Sequence, residues 1–154
     1  MVGTGNRFRS DDCAGLKAVS LLQQRASNRW GVEVTIVDLE GDQSAILDHM
    51  NSTDVVIIID AVHSDGQPGS FVRIDSTNGE IPLTFDGNST HGYGTSYVLR
   101  IAKMIGVLPQ RVIIYGIAGK NFSSGTDVSP EVTKSVDTVV EKVSEEIDSL
   151  IEGT

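Results

Sequence analysis

The chain has one cysteine, Cys13, in 154 residues. That excludes an internal disulfide and any metal cage built from thiolates alone. It has no long apolar run: the longest, Val55–Ile59, is strand length and far below the ~18 residues of a membrane span. It is short of positive charge, with 12 Lys and Arg against 21 Asp and Glu, a net charge of −9. An acidic surface repels phosphate backbones, so nucleic acid is not expected as a partner. The charge serves solubility, or attraction to a basic substrate segment. The opening residues carry no apolar stretch of the signal-peptide kind, and no repeat or low-complexity tract follows. Together these features predict a single soluble domain over residues 1–154, cytoplasmic, without a membrane partner and monomeric. Common phosphate and hydrolase motifs are missing as well. There is no Walker loop, no G-x-S-x-G and no H-E-x-x-H, and Phe8 stands where a dinucleotide fingerprint begun by Gly3 and Gly5 needs a third glycine.

What is present alternates between two periods. Val32–Leu39, Asp54–Asp60 and Arg111–Ile117 are rich in Val and Ile with little polar alternation, the pattern of parallel strands covered on both faces. Helical spacing falls between them: Asp12–Ser27, a short helix at Gln43–Met50, and Tyr93–Ile105 stopping at Gly106. A last helix starts at Ser129-Pro130-Glu131, with serine as its cap and proline at the first helical position. Ser70–Asp75 reads as one further strand inside the long excursion between Ala61 and Thr90. The fold class is α/β: a doubly wound, mostly parallel open sheet with helices on both faces, of the phosphorylase/hydrolase-like kind. Only Met1 and Val2 precede Gly3, so the first strand is expected to be short or truncated.

Ligands of such sheets sit at the carboxyl ends of the strands. Asp11 and Asp12 follow the first strand, Asp38 and Asp60 close two others, His91 precedes the third helix, and Lys120 follows the last strand. Two carboxylates and an imidazole from separate loops at one edge suit an open site for zinc, nickel or iron. Asp12, Asp60 and His91 are the expected set. His63, three residues after Asp60, is an accessory candidate. His49 is expected to be solvated, and Cys13 to be a small buried residue. Gly3 and Gly5 are expected to let the chain turn sharply, and Gly15 to allow close packing on the sheet.

In order along the chain stand GTGN, then SDDCAG, VVIIIDAV, DGQPG, STHGYG, MIGVLPQRVIIYGIAG and SPEV. This ordered set resembles the maturation peptidases of nickel–iron hydrogenases. The resemblance implies a doubly wound α/β fold. It also implies an activity: removal of a C-terminal peptide from the hydrogenase large-subunit precursor, the partner, once nickel is in place. By match of motif, Asp12, Asp60 and His91 would be both the metal-contacting and the catalytic residues. The metal would be nickel supplied by the substrate subunit, and the loops His63–Gly69 and Asn88–Gly94 would bind the tail. Cys13 and His63 depart from the family's usual residues, and so does the short first strand.

Two other readings use the same residues. A receiver-like phosphoacceptor domain also carries an acidic pair, a strand-end Asp and a Lys, here Asp11 and Asp12, Asp60 and Lys120. Against it, Arg7, Arg9 and Ser10 separate the first strand from the acids, and Asn121 rather than proline follows the lysine. A non-catalytic metal- or nucleotide-binding module of the same fold is the second.

Overall fold

A computed structural model describes residues 1–30, 34–52, 54–77 and 94–153, with the backbone alone at 27 and 28. Along the chain run β1 (Val2–Gly5), α1 (Ala14–Arg29), β2 (Val37–Glu40), β3 (Val55–Val62), β4 (Phe71–Thr77), α2 (Thr95–Ile105), β5 (Arg111–Ala118) and α3 (Pro130–Glu152). Two 3-10 helices, Ser10–Cys13 and Gln43–His49, precede α1 and β3. The five strands form one sheet in the order β2-β1-β3-β5-β4. All pairs are parallel except β4 on β5.

Two of the three strands without polar alternation, β3 and β5, are covered on both faces. Ile57 and Ile59 of β3, with Ile113, Tyr115 and Ile117 of β5, pack against α1 and α3. Val56, Ile58, Val112 and Ile114 pack against α2 and the Gln43–His49 turn. α3 supplies Val132, Val136, Val139, Val140, Val143 and Ile147 to the first core, the apolar stripe its three- and four-residue spacing dictates. No helix among the described residues is long and apolar enough to cross a membrane.

The short first strand is four residues long, yet it lies inside the sheet between β2 and β3. Its length sets that of its neighbour. The ladder runs only from Val2↔Val37 to Gly5↔Glu40. The predicted Val32–Leu39 strand is therefore Val37–Glu40, and it is an edge strand with alternate residues exposed rather than a buried one. Val34 and Ile36 still pack on the core without pairing in a strand. β3 continues two residues past Asp60, because β5 offers Ile117 and Ala118 as partners for Ala61 and Val62. Asp60 thus lies within its strand instead of closing it. β4 begins and ends later than predicted, at Phe71 and Thr77, and runs against β5 at the other edge.

The first helix is split. The Asp12 end is a 3-10 turn, and regular α-helix begins at Ala14. α2 begins at Thr95 after Gly94, and it ends on Gly106 in the left-handed conformation (φ 79°). Tyr93, the predicted start, lies outside the described residues. At α3, Pro130 holds the first position as expected, but Ser129 makes no side-chain cap. Its hydroxyl is turned to Asp11 instead.

Candidate functional site

From β1 the chain goes through α1 to β2 on one side, and then crosses to β3 on the other. The gap between β1 and β3 is therefore the point where strand order reverses, the usual ligand crevice of such sheets. The two strands pair only at Val2↔Ile58 and Gly3↔Ile59, and then part. The beginning of α1 sits in that fork. A Cβ on Gly15 would lie 2.3 Å from the Ile59 carbonyl oxygen and 2.4 Å from that of Thr4. Only glycine lets the helix come so close. Gly5 has φ 145°, and a Cβ there would meet the Asp12 carbonyl oxygen at 1.9 Å. Gly5 thus provides the turn expected of it, whereas Gly3 is a strand residue that allows close packing on Gly15 and Val19.

The segment after Gly5 closes on itself. Asn6 N–H donates to the Asp12 carbonyl (3.3 Å), Arg9 N–H to that of Asn6 (3.2 Å) and Asp12 N–H to that of Arg9 (3.1 Å). This ring delivers the acidic pair, and the pair divides. Asp11 is fully buried. Its Oδ2 accepts from the backbone of Lys120 (2.8 Å) and Asn121 (2.9 Å) and from Ser129 Oγ (2.8 Å), and its Oδ1 from Ser129 N–H (2.7 Å). Burial alone would raise its pKa, but these donors overcome that and hold it below the usual carboxylate range. Asp11 is a structural clamp between the first turn and the loop after β5. Asp12 is half-buried, and its charge reaches Asp60.

Asp60 is 6% exposed, on the sheet face that carries α2. Its cross-strand neighbour on β5 is Gly116, which opposes it with no side chain. Oδ2 accepts from Thr95 Oγ1 at 3.0 Å and from Gln43 Nε2 at 3.3 Å. Burial pushes the carboxyl up to about 6; the hydroxyls of Thr4 and Thr95 pull it down, and the charge of Asp12 adds to the rise. The Thr4 hydroxyl is buried beside the carboxyl outside hydrogen-bond geometry, with no partner among the described residues. Sequence reasoning missed both hydrogen-bond partners, Thr95 and Gln43. Thr95 carried a signal, as a polar residue opening a helix just after glycine; Gln43 carried none.

His91 lies outside the described residues, as does the Asn88–Gly94 loop apart from Gly94. Among the described residues no three His, Cys, Asp or Glu side chains are placed to hold a metal ion. His63 does not complete the acid pair. It is exposed and stacks on Phe122, ring centroids 3.8 Å apart. Asp38 is tied to Arg7 at 2.9 Å, and Lys120 to Glu131 at 3.2 Å. Neither Asp38 nor Lys120 is committed to the crevice. Cys13 is buried, and burial pushes its thiol pKa up, so it packs rather than reacts. His49 is exposed, as expected.

A family model described as "Hydrogenase maturation protease" matches residues 16–146. The hydrogenase 2 maturation protease of Escherichia coli is 26% identical over 147 residues, covering 93% of this chain and 86% of its own. Among solved structures, the E. coli hydrogenase maturating endopeptidase HybD superimposes with TM-score 0.76 at 23% identity, over 99% of this chain and 91% of its own. The [NiFe] hydrogenase maturation protease HybD of Thermococcus kodakarensis gives 0.69 at 23% identity, over 95% of both chains.

Proposed function

The chain belongs to the hydrogenase maturation protease family, and from that premise we propose that it is the endopeptidase that clips the C-terminal peptide from a nickel-loaded hydrogenase large-subunit precursor. Asp12, Asp60 and His91 engage the nickel that the precursor brings. Nickel is thus part of the substrate. Held there, it supplies Lewis acidity to the scissile carbonyl or to the attacking water.

The protein's own groups do the rest. Thr95 and Gln43 both donate to Oδ2 of Asp60, which fixes the carboxyl's orientation before substrate arrives. Asp12, half-buried on its 3-10 turn, stands closer to solvent. In the metal-free protein burial raises the pKa of Asp60 to about 6; once nickel is engaged, a carboxylate oxygen of the pair left off the metal can take a proton from water and return it to the leaving amine. The observation that carries the proposal is the convergence of Asp12 and Asp60, 48 positions apart in sequence, at the fork where strand order reverses.

Incubation of nickel-loaded precursor with wild-type protein and with Asp12→Ala, Asp60→Ala and His91→Ala tests it. Wild type is expected to shorten the precursor, and each variant to be slower by roughly 100-fold or more. Full processing by all three variants would sink the assignment.

A further inference from the structure

Phe8 is 68% exposed, although it lies in the closed ring that carries Asp12. Single exposed apolar residues are common and mean little by themselves. Phe8 differs in how firmly its backbone is held. Its N–H donates to Asn6 Oδ1 at 2.9 Å, and its carbonyl accepts from Gly125 N–H at 2.9 Å. On either side, Arg7 is fixed by Asp38 and Glu40, and Arg9 forms a parallel bridge with Gly125. The next residue, Ser10, is held at φ 51° with its N–H on the Gly125 carbonyl. A turn this constrained cannot swing its side chain inward by moving the backbone. Among the described residues, the other Phe in a loop of this edge, Phe122, has its partial exposure explained by packing. Phe122 lies over Gly119, where a Cβ would come within 2.4 Å of its ring, and carries His63 on it. Phe8 has no such cover among the described residues.

We propose that Phe8 is a specificity-determining contact for the precursor: its exposed ring, carried on a fixed backbone, takes an apolar side chain of the segment beside the scissile bond. The inference rests on the processing function proposed above. An aromatic ring on an already ordered turn supplies contact area without the entropy of ordering a loop. It lies in the turn that the main-chain bonds among Asn6, Arg9 and Asp12 close, so a side chain held by Phe8 is registered relative to Asp12. Its role is in binding and registration; it takes no part in bond breaking.

The experiment is precursor processing by wild type, Phe8→Ala and Phe8→Leu across a series of nickel-loaded precursor concentrations, with Tm measured for each protein. Phe8→Ala is expected to raise KM roughly ten-fold with kcat little changed. Phe8→Leu is expected to recover most of the loss, because an apolar contact and not a ring-face attraction for a cation is at work. All three proteins should melt alike, since the substituted ring is exposed and the backbone bonds remain. An unchanged KM in Phe8→Ala, a loss that appears only with a lowered Tm, or no recovery by leucine overturns the proposal while leaving the function intact. A wild-type protein inert toward the precursor overturns both.

Discussion

Two adjacent aspartates with the same chemistry have opposite fates, and neighbouring atoms decide which. Asp11 is surrounded by four donors and becomes an anchor; Asp12, one residue on, stays half-buried at the crevice. Nothing in the string SDDC separates them, because the donors come from residues 120–129. Asp60 was legible as an acid placed by an apolar strand, but its burial and its two donors were not. Its raised pKa has a consequence for stability. The folded protein keeps the proton to about pH 6, the unfolded chain only to 3.8. Between these values the folded state binds more protons, so this carboxyl's contribution is complete below pH 4 and is lost as pH rises through 6. Asp60→Asn carries no such charge, and its amide oxygen can accept from both Thr95 and Gln43. In the precursor-free protein, the stability of Asp60→Asn relative to wild type should climb by roughly 2–3 kcal/mol between pH 4 and pH 7.5, while processing is lost. Urea unfolding at the two pH values measures it, and a difference that stays flat contradicts the burial of Asp60.

Elements took their limits from their partners. β2 stops where β1 stops, and β3 extends because β5 does. A single chain's hydrophobic pattern cannot report the length of a neighbouring strand, so the element types were right and their ends moved. β4 shows a second kind of dependence. As an antiparallel edge strand it is half-exposed, and charged side chains tie it to α3. Arg73 donates to Glu146 at 2.9 Å through Nε and to Asp75 at 2.9 Å, Arg111 reaches Asp75 at 2.6 Å, and the buried Tyr115 hydroxyl donates to Glu146 at 2.7 Å. The hydrogen bond from Arg73 is the main force holding the Glu146 pKa down, against its partial burial. That stabilisation is present above the unfolded-state pKa of 4.5 and fades as pH falls through the lower folded value. Glu146→Gln keeps the size but loses the charge. It should cost about 1–3 kcal/mol at pH 7, and the loss should shrink toward pH 3. Denaturant midpoints at both pH values check this; equal losses would show that the charge contributes nothing.

At the scale of the whole molecule, topology separates this chain from the phosphoacceptor reading. A receiver-type sheet is parallel in the order 2-1-3-4-5, whereas here the edge next to β5 is an antiparallel strand, β4. Lys120 faces Glu131, and Asp60 is buried under α2. Incubation with a small phosphodonor should therefore leave Asp60 unlabelled, as read by mass spectrometry of the intact protein; a stable acyl phosphate there would restore the receiver reading. The same topology explains why the acids meet at all. β1 and β3 are separated in the chain by a helix and an edge strand, yet they are neighbours in the sheet, and the glycine at position 15 lets the helix close the fork between them.

The sequence by itself determined the α/β class, that β3 and β5 are covered on both faces, and the edge at which the acids collect, because hydrophobic periodicity and glycine placement act locally along the chain; it misjudged β2, whose edge position depends on the sheet order. The tertiary structure alone decided which acid of the pair is an anchor, that Asp60 is buried and already held by Thr95 and Gln43, and that Phe8 is fixed in the open. Those outcomes depend on hydrogen-bond donors and strand ends contributed by segments tens of residues away, and no local pattern encodes the distance between them.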